Sequence, residues 1–149
     1  MINQVESFEL DDILDENDLQ NTKIRFDQLK TIFVDQNCNS STLHKIVKKF
    51  PILLTLDNQK IVNAKNKLQN FLPFIDLSYL FDQNDSGFEL FLNCADVQFS
   101  LKDQMQNLKN ITGIYNENEF QYFVRRNPHS LSDRYQVNEL IQKNLLTLL

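Results

Sequence analysis

A chain of 149 residues is long enough to bury a real core, and an apolar share of 42% excludes disorder as an overall description. Gly (2) and Pro (3) are too scarce to turn the many corners of a strand-rich domain, so helices are expected throughout. The formal net charge of −5 is unevenly distributed: seven of the 20 acidic residues lie in residues 1–20, beside no Lys or Arg, which leaves the remainder mildly basic.

Taken in chain order, residues 1–22 read as an acidic N-terminal segment. Val5, Phe8, Leu10, Ile13, Leu14 and Leu19 are interleaved there with carboxylates, a pattern that folds against a partner. The stretch "DDILDENDLQ" lacks the central Gly and the spaced final Glu of a calcium loop. A helical repeat domain is expected over 23–149, opening with a helix from Lys23 that carries Ile24, Leu29, Ile32 and Phe33 on one face. Ser40 or Ser41 is expected to cap a second helix with Leu43, Ile46, Val47 and Phe50 on its apolar side, stopped by Pro51. Asp57 offers the cap for a helix bearing Ile61, Val62, Ala64, Leu68 and Phe71 or Leu72, which Pro73 ends. A short helix over Leu77 to Phe81 precedes an expected break at Asp85–Gly87, and "FELFLNCA" follows.

Further on, Ser100 with Asp103 marks the start of a helix carrying Leu101, Met105, Leu108 and Ile111, closed by Gly113. Asn116 with Glu119 repeats that start signal ahead of Phe120, Phe123 and Val124. Ser132 or Asp133 opens the final helix, whose apolar side holds Val137, Leu140, Ile141 and Leu145.

Cys38 and Cys94 are far apart, with no CxxC and no His partner, which reads as two reduced thiols rather than a metal site. His44 and His129 have no partner pattern, and no Ser-His-Asp, Gly-rich phosphate loop or paired-carboxylate arrangement stands out. No enzyme activity, cofactor or metal is therefore expected. The sequence contains no run of 18 apolar residues, so no membrane span is expected, and the acid-rich N-terminus lacks the character of an import signal.

Sliding the chain on itself by 77 places Leu43 on Phe120, Ile46 on Phe123 and Val47 on Val124. The same shift puts Lys48-Lys49 on Arg125-Arg126, Pro51 on Pro128, Leu54 on Leu131 and Thr55 on Ser132. Upstream, "QLKTI" (28–32) matches "NLKNI" (107–111) after a two-residue gap. A weaker copy shifted by 45 keeps Phe88, Phe91, Leu92, Phe99 and Ser100 in place, but has Asn93-Cys94 for the basic pair and Asp96 for the proline. Three such units predict an all-α solenoid, right- or left-curved, because one unit cannot bury its own face.

The unit, helix then helix then a proline-led apolar turn, resembles the mTERF (mitochondrial transcription termination factor) family over residues 24–135. "IVKKFPILLTLD" and "FVRRNPHSLSD" are the two clear instances, and "FLNCADVQFSLKD" is a degenerate third. Tetratricopeptide and HEAT repeats are the architectural competitors, and the tetratricopeptide Trp-Leu-Gly-Tyr pattern is absent. The resemblance implies a mitochondrial, or alternatively plastid, location. It also implies a nucleic-acid-handling context: either a structural subunit of a particle such as the mitochondrial ribosome, with protein partners, or a DNA- or RNA-binding regulator.

Lys48, Lys49, Arg125 and Arg126, helped by Lys45 and Arg134, are the candidate nucleic-acid contacts. The same cations at helix C-termini would stabilise those helices through the dipole without any ligand. Tyr115, Tyr122 and Tyr135 are candidates to stack bases, although most aromatics fall on the apolar periodicity and belong to the core.

Overall fold

A computed structural model describes residues 16–33, 39–82 and 84–148. Those residues form eight α-helices and two 3-10 turns, with no strand among them. The helices are α1 (Glu16–Phe33), α2 (Ser40–Lys49), α3 (Asn58–Phe71), α4 (Leu77–Phe81), α5 (Asn84–Ala95), α6 (Leu101–Thr112), α7 (Glu117–Arg126) and α8 (Asp133–Leu148). The 3-10 turns are Pro51–Leu54 and Pro128–Leu131. The all-α expectation holds. The chain divides into two compact units, Met1–Ile61 and Val62–Leu149. Most of the acidic segment, residues 1–15, and Cys38 lie outside the described residues.

In the first unit, α1 is already helical over residues 16–22, ahead of the expected start at Lys23. Part of the acidic segment, including Asp18, is therefore helical. Leu29 and Phe33 are buried as expected, whereas Ile24 is exposed. The cap of α2 is Asn39, not Ser40 or Ser41: its side chain accepts the Thr42 N–H at 2.9 Å. Leu43, Ile46, Val47 and Phe50 are all buried, with Leu53 of the following turn. Both α1 and α2 pack on that turn. The Phe26 and His44 rings meet edge to face at 4.5 Å.

Arg25 holds the turn in place. Its guanidinium donates to the carbonyls of Leu54 (3.1 Å), Leu53 (3.4 Å) and Leu56, and to the Asn58 side-chain oxygen. These acceptors surround a break between two helices, where the backbone has no helical partner to offer. Asp57 stands before α3, and its carbonyl accepts the Ile61 N–H at 3.2 Å.

In the second unit, α4 and α5 bring Phe81, Phe88 and Phe91 together, with ring centroids 5.1 to 5.9 Å apart. The expected break at Asp85–Gly87 is not there: α5 runs unbroken from Asn84 to Ala95. A helical Gly costs about 1 kcal/mol relative to Ala. Burying Phe88, Leu90, Phe91 and Cys94 on the same helix outweighs that. Ser100 caps α6 through the Asp103 N–H at 3.2 Å, and Gly113 closes it at φ 74°, in the left-handed region a side chain disfavours.

The turn Pro128–Leu131 is the hub of this unit, packed on by α5, α6, α7 and α8. Pro128, Ser130 and Leu131 are buried within it. Ser132 caps α8 by accepting the Tyr135 N–H at 3.2 Å. Two expectations fail here. Phe123 is only half-buried, and Val137 and Ile141, predicted as the core face of α8, are exposed. Leu140 and Leu145, expected on the same face, lie outside the described side chains.

The 77-residue repeat reappears in local geometry. Asn39 and Asn116 cap α2 and α7 through the third N–H along, at 2.9 and 3.0 Å. Phe50 and Asn127 leave the helix at φ/ψ of −128°/73° and −135°/60°, because the proline that follows disfavours helical geometry before it. A further shared feature joins all three copies. Arg25 of α1, Lys67 of α3 and Gln104 of α6 donate to the carbonyls of Leu54, Phe99 and Leu131, at 3.1, 2.8 and 3.1 Å. These three acceptors occupy the same place in the repeat. The middle turn has Asp96 for proline, and its carboxylate accepts the Gln98 N–H at 2.9 Å, closing the turn by side-chain chemistry instead.

Candidate nucleic-acid interface

The two prolines end α2 and α7 just after their basic pairs, so each pair sits in a last helical turn, at the negative end of the helix dipole. Lys45, Lys48, Lys49, Arg125, Arg126 and Arg134 are all exposed. On α2, Lys45 lies one turn before Lys48 and Lys49, so helical spacing gathers the three into one cationic strip. Lys49 also stands 5.4 Å from the centre of the Phe50 ring.

The consecutive arginines of α7 part company. Arg125 lies over Phe74 at 5.8 Å, and the carbonyl of Arg125 accepts the Tyr79 hydroxyl at 2.9 Å. Arg126 lies over Tyr122 at 5.2 Å and donates to its hydroxyl at 2.7 Å. Arg134 pairs with Glu89 at 3.7 Å, which offsets its charge locally.

The middle copy explains its own lack of cations. The Asn93 side chain accepts the Asp133 N–H at 2.9 Å and so anchors the start of α8. Cys94, at the place of Lys49, is fully buried, and burial pushes its thiol up to about 12, with Lys67 pulling weakly the other way. A lysine there would need its charge desolvated. Among the described residues, no group of three His, Cys, Asp or Glu side chains is placed to hold a metal ion. No described helix is long and apolar enough to cross a membrane.

Of the tyrosines singled out from the sequence, Tyr135 is committed inside the second unit. Its ring stacks on His129 at 5.6 Å, and its hydroxyl is pushed up by burial and by the Glu139 carboxylate it bonds. Tyr115 is exposed but tied through its hydroxyl to Asn110 at 3.1 Å. Tyr122 is 59% exposed and forms the rim of an open groove of about 470 Å³, with Ile114, Asn118, Glu119, Phe123, Arg126 and Asn127. The groove is not legible in the periodicity, which assigns Phe123 to the core. The one sequence signal for it is the Tyr122 to Arg126 spacing of four, which puts ring and guanidinium on one helix face.

Compared with known proteins, the chain matches no family model, no curated protein and no solved structure.

Proposed function

We propose that this chain is a non-enzymatic helical-repeat protein of mTERF type, its three units stacked as a short α-solenoid. In this reading it serves as a structural or interaction subunit of an organellar particle that handles nucleic acid, such as a mitochondrial ribosome. The observation that carries the reading is the recurring helix, helix, latched turn, with Arg25, Lys67 and Gln104 on equivalent carbonyls. A device repeated three times is what a stack of like units needs, since each turn must present the same surface to its neighbour. Packing of the Pro128–Leu131 turn on α5 of the preceding copy supports the stacking. The native protein, tagged and purified under mild salt, should bring down RNA together with other proteins in one large particle. Recovery of the chain alone would sink this reading.

A second reading, an mTERF-like regulator that binds DNA or RNA directly, is favoured by the exposure of all six candidate cations. Replacing Lys48, Lys49, Arg125 and Arg126 with Ser should then weaken binding to all sequences alike. It should also flatten the dependence of log affinity on log salt by about 0.7–0.9 for each cation that no longer meets a phosphate. A wild-type protein with no salt-sensitive binding to free DNA or RNA rules this second reading out and leaves the particle-subunit reading in place.

A further inference from the structure

We infer that the groove on α7 is a site for unpaired nucleotides, in which Tyr122 and Phe123 stack a base and Arg126 meets the adjoining phosphate. The inference rests on the nucleic-acid reading above and narrows it to single strands.

Three observations lead there. The first is a comparison of equivalent places on the second helix of each copy. Lys45 and Lys49 of α2 correspond to Leu90 and Cys94 of α5 and to Tyr122 and Arg126 of α7. Leu90 and Cys94 are fully buried, so α5 carries apolar side chains where this face is covered. On α7 the same face carries a phenol and a guanidinium, residue types suited to a wet surface that still offers planes to stack on. The fold does not demand them, since α2 keeps two lysines there.

The second observation is Phe123. Its counterpart Ile46 is buried at 6% exposure, yet Phe123 is half-open and lines the groove beside Tyr122. At a place where the other two copies bury Ile46 and Phe91, this ring leaves apolar area facing solvent. An aromatic face accepts any base, because every base has a π-face.

The third is polarity along the groove. Asn118, Glu119 and Asn127 supply amide and carboxylate groups at its walls, suited to the donors and acceptors of a base edge. Of the residues lining the groove, the cation Arg126 lies toward the C-terminal end of α7 and the carboxylate Glu119 toward its start. A nucleotide fits with its phosphate toward the C-terminal end of α7 and its base toward Asn118. A duplex keeps its base faces stacked within itself and has none to offer Tyr122.

The test uses the full chain with a fluorescein-labelled oligoadenylate about a dozen nucleotides long, and an RNA duplex of the same length. Anisotropy should show tighter binding to the single strand, and Tyr122→Ala should weaken it by about tenfold. Tyr122→Phe should bind within about twofold of the wild type, because it loses the Arg126 hydrogen bond and keeps the ring. The chain contains no Trp, so quenching of tyrosine emission by the oligonucleotide reads the stack directly, and Tyr122→Ala should reduce it. Salt-sensitive binding that is equal for strand and duplex and unchanged by Tyr122→Ala overturns the groove assignment while leaving the cationic contacts standing. Absence of binding to either probe overturns the groove assignment and the direct-binding reading together.

Discussion

At the scale of single residues, the two side chains with the most to explain are Arg25 and Cys94. Arg25 serves four acceptors around one turn, and burial pulls its guanidinium below its ordinary range while Asp57 opposes the shift. Hydrogen bonds from a charged donor are worth more than neutral ones, and carbonyls left unpaired add a penalty. Arg25→Ala should therefore destabilise the protein by about 2 kcal/mol, and Gln104→Ala by about 1 kcal/mol, as read from urea midpoints. Equal costs would mean that the guanidinium adds nothing beyond an amide. Cys94 sets an alkaline limit. The unfolded thiol loses its proton near its ordinary value of about 8.5, while the folded one keeps it to about 12. Between those values the folded chain binds more protons, so stability falls as pH rises and is unaffected by this group below the unfolded value. Cys94→Ala should flatten the alkaline slope by up to about 1.4 kcal/mol per pH unit, measured by denaturation at pH 9 to 11.

At the scale of elements, capping decides where the second helices begin. Asn39 and Asn116 accept the same N–H at nearly the same distance, so Asn39→Ala and Asn116→Ala should each cost about 1 kcal/mol. Ser40→Ala and Ser41→Ala should be close to neutral in the same urea titrations, since neither serine is the cap. The start signal at Asn116 is readable because Glu119 follows at the right spacing. At Asn39 four capping-type residues, Asn39 to Thr42, stand in a row, and only backbone geometry says which one leaves the helix. The helix through Gly87 was hidden for a related reason. Local propensity argues for a break, while burial of four apolar side chains on α5, a tertiary effect, argues harder against it.

At the scale of the whole molecule, charge is the property to test. Residues 1–15 hold Glu6, Glu9, Asp11, Asp12 and Asp15 and no cation, so removing them takes the formal net charge from −5 to zero. If this segment competes for the cations of α2 and α7, its deletion should tighten RNA binding at low salt, with the gain fading as salt rises. An affinity unchanged at low salt would assign the segment to a partner protein instead. The helical class and the proline-ended basic pairs were settled by sequence, because scarcity of Gly and Pro, apolar spacing and proline chemistry act over a few residues. What only the tertiary structure decided is which side of each helix is covered. Phe123 is only half-buried where Ile46 is buried, Cys94 is sealed where Lys49 is exposed, and Val137 and Ile141 face outward. Periodicity marks an apolar face but not whether a neighbour covers it, and that depends on packing from elements far away in the chain.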